Sequence, residues 1–357
     1  MRELLHEPIA GHTTMRVGGP AARFVVVETP DELVDAVREV DDADEPLLVL
    51  GGGSNLVVAD AGFEGTVVKV ATSGVEVDSA DLCGGANVTV AAGEDWDGFV
   101  ARAVAEGWSG IEALSGIPGS SGATPVQNVG AYGQEVAQTI ARVRVWDRLQ
   151  QQVRTMTTLD CRFTYRHSLF KGTDRYVVID VMFQLVLQSL SQPVGYADLA
   201  TQLGVSVGDR VPLAEAREAV LEQRRRRGMV LDAPDHDTWS CGSFFTNPIL
   251  GEAEFEVLRE RVSSRLGADA AAPPAYPDGR GQVKTSAAWL IERAGFGKGF
   301  GMPGPAALST KHTLAVTNRG SATAADVVGL ARTVRDGVED AFGVRLVNEP
   351  VLVGDTL

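Results

Sequence analysis

Short apolar runs alternate with amphipathic stretches through the first half of the chain. Residues 24–27 (Phe-Val-Val-Val) have the β-branched character of a strand. Thr29 then stands as an N-cap, with Pro30 at the first helical position and Glu32 completing a capping box for a helix over 31–40. Leu47–Leu50 predicts a buried strand that runs straight into Gly51-Gly52-Gly53-Ser54-Asn55. Residues 66–70 and 88–92 add strands, and 96–107 predicts a helix with Phe99, Ala103 and Val104 on its apolar face. Residues 142–147 and the long run Tyr176–Leu187 continue the strand pattern. Such alternation predicts an α+β or α/β region of roughly two lobes.

The second half is more helical. Residues 212–227 form a helical pattern ending in four arginines, Arg224 to Arg227, before Gly228. Cations there complement the helix dipole or bind a ligand phosphate, two readings of equal weight. The Pro/Asp/His stretch 231–237 reads as a linker. Helices follow at Glu252–Leu266 and 286–294, separated by a Pro-rich loop, 271–281. The clearest amphipathic helix is 322–342, with Val327, Leu330, Ala331, Val334, Val338 and Ala341 on one face.

Composition narrows the class. With 357 residues, 44% hydrophobic and 22% charged, the chain has the profile of a globular protein of two or three domains. A net charge of −15 argues against a nucleic-acid or anionic-membrane partner, and it obliges any anionic ligand to find local donors. Cys83, Cys161 and Cys241 are scattered without metal-ligand spacing, so neither a disulfide framework nor a metal is expected. The amino terminus lacks signal-peptide character and no apolar run reaches membrane-spanning length, which together predict a cytoplasmic protein.

The richest chemistry lies in residues 115–135, SGIPGSSGATPVQNVGAYGQE. Gly116, Gly119, Gly122, Gly130 and Gly133 surround two prolines, so the segment is neither a regular helix nor a central strand. Bare backbone N–H groups in such a loop suit a phosphate or pyrophosphate. The Gly51–Asn55 run, at the carboxyl end of a strand, offers a second cradle of the same kind. Gly299 to Gly304 matches GxGxxG, but it follows a helix, contains Pro303 and opens no βαβ unit, so a Rossmann site is excluded.

Three further clusters carry polar chemistry. Tyr165-Arg166-His167-Ser168 sets a guanidinium beside an aromatic ring, suited to a carboxylate or simply to the surface. Ser243, between Gly242 and two phenylalanines in the run 242–248, is either a proton donor to a carbanion or a core serine bonded to backbone. Asn348-Glu349-Pro350 sits inside an apolar run, making Glu349 either an acid with a raised pKa or a salt-bridged glutamate.

Taken in order, GGGSN at 51–55, SGIPGSSGATPVQNVGAYG at 115–133, YRHS at 165–168, GSFFTNP at 242–248 and NEP at 348–350 resemble the UDP-N-acetylenolpyruvoylglucosamine reductase family. The resemblance spans almost the whole chain. It implies an α+β, three-domain flavoenzyme with a vanillyl-alcohol-oxidase/p-cresol-methylhydroxylase-type FAD-binding fold and a C-terminal substrate-binding domain. The implied domains are 1–70, joined by the returning tail 345–357; 71–227, carrying a substrate loop; and 228–344.

The resemblance also assigns residues. FAD would be held by Gly51, Gly52, Gly53, Ser54, Asn55, Leu56, Ser115, Gly116, Ile117, Gly119, Ser120 and Gly122, with Gln127, Asn128, Gly130 and Tyr132 lining the flavin. Arg166, Ser243 and Glu349 match the catalytic residues, and Tyr165, Tyr196, Asn247 and Lys284 the substrate-binding ones. Tyr196 lies in the loop that one subtype folds over the substrate diphosphate. A family lysine expected just before Leu231 is absent; Gly228-Met229 stands there, with Arg226 or Arg227 as candidate replacements. NADPH would reduce FAD, and the substrate would be the enolpyruvyl ether of a UDP-sugar, acted on by a monomer. Two other readings stay open: an FAD-linked oxidase of the same fold, and a non-catalytic flavin or nucleotide module.

Overall fold

A computed structural model describes residues 1–277 and 281–357. The chain groups into two compact units: Met1–Glu7, Pro20–Gly53 and Phe63–Leu231 form the first, and Pro8–Gly19, Ser54–Gly62 and Asp232–Leu357 the second.

The first unit contains two sheets. The smaller has the strand order Arg2–Pro8, Pro20–Val27, Phe63–Val70, Leu47–Leu50. Its last three strands are parallel, and Leu50 pairs with Lys69, so the carboxyl ends of two strands lie side by side at Gly51. Helix Pro30–Asp42 connects two of these strands and buries Leu33, Ala36, Val37 and Val40. Thr29 caps it as expected, accepting from Glu32 N at 3.2 Å. The reciprocal bond differs: the Glu32 carboxylate reaches past Thr29 to Glu28 N, 2.8 Å away.

The larger sheet is antiparallel, in the order Gln152–Thr157, Ile140–Asp147, Tyr176–Leu187, Gly85–Ala91, Val75–Asp81. Helix Trp96–Ala105 packs Trp96 and Phe99 against Phe183 of the central strand. The strands that the hydrophobic pattern did not predict, Val75–Asp81 and Gln152–Thr157, are largely exposed outer members, which carry little apolar alternation.

The second unit is built on helix Ala324–Phe342, whose Val327, Ala331, Val334 and Val338 are fully buried. Glu252–Leu266 and Ala287–Arg293 pack beside it. Short sheets join Ile249–Gly251, Gln282–Lys284 and Tyr276–Pro277, and pair Ala306–Leu308 with Val316–Asn318. The loop expected at 271–281 thus contributes a strand at Tyr276–Pro277, while residues 278–280 lie outside the described residues. Val351–Val353 runs parallel to Leu56–Val58, bringing the carboxyl tail beside the segment that follows the GGGSN run.

The stretch expected as a linker, 231–237, does contain the boundary in the chain, since Leu231 ends the first unit and Asp232 opens the last segment of the second, but it is anchored. Asp237 is 4% exposed, bonds Arg319 at 2.7 Å and accepts from Thr310 N at 2.9 Å. Its proline and acidic residues serve a turn and a buried ion pair instead of a loose connection.

Candidate active site

In the first unit the two glycine loops meet backbone to backbone. A Cβ on Gly52 would lie 2.4 Å from Gly119 Cα, and one on Gly51 would lie 2.4 Å from Ser120 Oγ. At Gly52 the contact is with backbone, so any side chain there would force the loops apart, whereas at Gly51 the close neighbour is the Ser120 hydroxyl. The N–H groups of Gly52, Gly53, Gly119 and Ser120 find no acceptor among the described residues, so the junction is a cluster of open donors.

The other glycines have different work. Gly116 N donates to Asp97 Oδ1 at 2.6 Å, and Gly122 N donates to Ala92 O at 2.8 Å. Their donors belong to the scaffold. Gly122 is small because a Cβ there would lie 2.4 Å from that of Ala92. Asp97 is gripped by Arg217 at 2.7 and 2.9 Å. Burial works to raise the Asp97 pKa, but Arg217 and the Gly116 N–H outweigh it and hold the carboxyl below its ordinary value.

Two cations flank this scaffold. Lys69 Nζ donates to Gly51 O, and burial holds its pKa below the ordinary value. Arg224 is the inward member of the four arginines: it bonds Met229 O at 2.8 Å, and burial pushes its pKa down to about 10. Its Nε is buried and has no hydrogen-bond partner among the described residues, and a Cβ on Gly116 would lie 3.5 Å from that atom. The other three arginines pair with Glu218, Glu222 and Asp198, as a solvated helix end does.

FAD fits this chemistry on two counts. The glycine junction is a cradle that any Cβ would fill. Ser121 is fully buried and its Oγ has no hydrogen-bond partner among the described residues, a cost that a bound polar ligand would relieve.

Around the expected flavin-lining residues the backbone is strained. Asn128, Tyr132 and Arg166 have φ of +48°, +49° and +53°. The Asn128 side chain is committed to the scaffold, donating to Glu135 at 2.9 Å and Thr164 O at 3.0 Å and accepting from Ala137 N. Thr164 and His167 exchange backbone bonds around Tyr165-Arg166. Arg166 donates to Gly130 O at 2.6 Å and lies 5.1 Å from the Tyr165 ring centroid. The Tyr132 and Tyr196 rings meet edge to face at 6.0 Å. Ile117 and Gln127 are half-buried, and Ser115 is buried with its hydroxyl on Glu112 O.

The second unit holds the remaining candidates. Glu349 N donates to Phe244 O at 2.8 Å, and Phe245 bridges Asn348, so the segments carrying Ser243 and Glu349 are laced together. Asn55 Nδ2 donates to Glu349 O at 3.3 Å, which places the end of the GGGSN run, with Ser54 and Leu56, in this unit. Asn247 Oδ1 accepts from Ala287 N at 3.0 Å, and Lys284 pairs in register with Ile249. Among the described residues no group of three His, Cys, Asp or Glu is placed to hold a metal. Gly299 to Gly304 forms turns leading into strand Ala306–Leu308, with no helix after it.

Sequence reasoning missed Lys69, Asp97, Arg217 and Ser121 as parts of this region. Only Ser121 carried a signal, its place inside the glycine-rich run. The fold and the glycine junction define an FAD-binding protein. Residues 21–155 match a family model described as an FAD binding domain, and residues 233–353 match the C-terminal domain of UDP-N-acetylenolpyruvoylglucosamine reductase.

Full-length likeness sharpens this. The chain is 60% identical to the UDP-N-acetylenolpyruvoylglucosamine reductase of Thermobifida fusca over 98% of both chains. It is 57% identical to that of Streptomyces avermitilis, over 99% of this chain and 96% of the relative. The crystal structure of the reductase from Thermus caldophilus superposes with a TM-score of 0.64 at 26% identity, covering 99% of this chain and 98% of that one. The chain belongs to the UDP-N-acetylenolpyruvoylglucosamine reductase family. The α+β FAD-binding architecture expected from the five motifs is borne out.

Proposed function

We propose that this chain reduces the enolpyruvyl ether of UDP-N-acetylglucosamine to UDP-N-acetylmuramate with NADPH, a step in making peptidoglycan precursors. The observation carrying the reading is the lacing of the segments that bear Ser243 and Glu349, through Glu349 N and Phe244 O, in a chain that matches a reductase of the family over 98% of both sequences. Bound FAD would supply the hydride-transfer chemistry that couples NADPH oxidation to reduction of the enolpyruvyl group. In this reading the domains are 1–70 with 345–357, 71–227, and 228–344. The enzyme works as a cytoplasmic monomer.

The protein's own residues bind, orient and move one proton. The open N–H groups of Gly52, Gly53, Gly119 and Ser120 hold the FAD pyrophosphate, helped by the Ser121 hydroxyl. Hydride addition to the methylene leaves negative charge on the neighbouring carbon and its carboxylate. Arg166 stabilises that enolate-like species where its charge develops, and Glu349 does so as a neutral acid donating its O–H. Ser243 then delivers its hydroxyl proton to the carbanion carbon; a hydroxyl is a weak acid, but the carbanion is a strong base. Tyr165, Tyr196, Asn247 and Lys284 orient the sugar nucleotide.

Anaerobic bleaching of the yellow protein by NADPH, followed by reoxidation only when the enolpyruvyl sugar nucleotide is added, tests the activity. Rapid reoxidation by air alone would favour the oxidase, and colourless protein the flavin-free module. Ser243→Ala is expected to leave bleaching intact and to slow substrate-dependent reoxidation by about 10²–10⁴-fold. Reoxidation at the wild-type rate would remove Ser243 as the donor.

A further inference from the structure

Glu112 is 2% exposed, and its carboxylate meets N–H donors alone. Oε2 accepts from Gly110 N at 2.7 Å; Oε1 accepts from Gln134 Nε2 at 2.9 Å and from Gln192 N at 2.6 Å. Among the described residues it has no cationic partner. A buried carboxylate is costly unless its lone pairs are used, and here they draw three separate segments together.

Those segments lead to two residues of the proposed reaction. Gln134 pairs with Ala131 in the short ribbon that includes Gly130 and Glu135. The Gly130 carbonyl accepts from Arg166, so the ribbon sets the guanidinium. Gln134 is itself fixed at its other end, its Oε1 accepting from Ala113 N at 2.8 Å. Gln192 begins the segment that reaches Tyr196. There the tyrosine ring meets Tyr132, and a Cβ on Gly133 would lie 3.7 Å from it. Glu112 Oε1 is therefore bonded to both the Arg166 ribbon and the Tyr196 segment.

We propose that Glu112 is a positioning residue for substrate reduction: it holds the Arg166 ribbon and the Tyr196 segment in the relation that the sugar-nucleotide substrate requires. The inference rests on the reading of Arg166 and Tyr196 given above. In this role Glu112 acts through Gln134 and Gln192, because its carboxylate oxygens are taken up by protein N–H donors.

Glu112→Gln is the smallest informative change. An amide has one acceptor oxygen, so its NH₂ must face either Gly110 N or the Gln134 and Gln192 donors. Rotating the Gln134 amide to present oxygen instead would turn its NH₂ onto Ala113 N. No arrangement satisfies every donor.

The expected result is asymmetric. NADPH bleaching of the holoenzyme stays at its wild-type rate with an unaltered flavin spectrum, while reoxidation by the enolpyruvyl sugar nucleotide loses about tenfold in kcat/KM. A lower Tm with both half-reactions intact overturns the proposal, as does an equal loss in both. If Glu112→Gln does not fold, Gln134→Met takes its place. It leaves Glu112 the Gly110 and Gln192 donors but cuts the ribbon, and it is expected to show the same asymmetry. Tyr196→Ala separates the two readings. Substrate reduction unchanged in that variant removes the Tyr196 role and this inference with it; weakened reduction there, beside an unaltered Glu112→Gln, overturns the inference alone.

Discussion

Replacing Gly52 with alanine tests the glycine junction most directly. The new Cβ would stand 2.4 Å from Gly119 Cα and 2.8 Å from Gly119 C, and both atoms are backbone. Ordinary carbon contacts lie at about 3.5–4.0 Å, so the two loops must part by roughly 1 Å. An N–H donor held about 2.9 Å from a phosphate oxygen then recedes beyond hydrogen-bond range. Losing one bond to a charged acceptor costs about 1.5–3 kcal/mol, which is roughly ten- to a hundredfold in affinity. Flavin-stripped protein titrated with FAD, followed by flavin fluorescence, reads that loss. Gly329→Ala, in the helix Ala324–Phe342 with nothing within 4 Å of its added Cβ, serves as the control and should bind FAD normally. Wild-type FAD affinity in Gly52→Ala would refute the two-loop cradle, whatever happened to its Tm.

Two further outcomes concern stability. Asp147 is fully buried beside Arg175 and Arg154; the Arg175 hydrogen bonds, chiefly, hold its pKa down at about 2. A depressed carboxyl stabilises the fold in full above the unfolded value of about 3.9, and that contribution disappears as pH falls through the folded value. Asp147→Asn should therefore flatten the fall of Tm between those two values; an unchanged slope would show that other carboxylates control acid unfolding. Phe99→Ala removes a ring 5.2 Å from Phe183 and 5.9 Å from Trp96 and should cost about 3–5 kcal/mol in chemical denaturation. A loss under 1 kcal/mol would mean that this aromatic cluster repacks.

Legibility followed the range of the interactions. Leu47–Leu50, Tyr176–Leu187 and Glu252–Leu266 could be bounded from sequence because their signals are local: apolar periodicity and flanking turn residues. The glycine loops were legible for the same reason, yet the pattern could not say which glycines offer donors. Gly116 and Gly122 spend theirs on Asp97 and Ala92, and those partners are fixed by tertiary packing. The left-handed backbone at Arg166 had no local mark either, since an arginine there is held by Thr164–His167 pairing and not by its own preference. Residues 231–237 were legible as a boundary between units but not as an anchored one, because a buried acid and a surface turn draw on the same residue types; Arg319, which pairs with Asp237, lies far along the chain.

The overall charge of −15 sets a condition on how anionic ligands are recognised. A net field of that sign repels a diphosphate at long range, so attraction must come within a Debye length, about 8 Å at physiological salt. In the proposed cradle the glycine junction would meet the condition with neutral donors, the N–H groups of Gly52, Gly53, Gly119 and Ser120 that find no acceptor among the described residues, whose dipoles act at contact. The nearby acid is silenced as well: Arg217 neutralises Asp97, which would otherwise stand as an uncompensated charge at Gly116. Recognition built this way is orientational. It depends on where backbone amides point, which explains why glycine, and not lysine or arginine, dominates the two loops, and why a single methyl group at Gly52 is a sharper probe than the removal of any one surface cation.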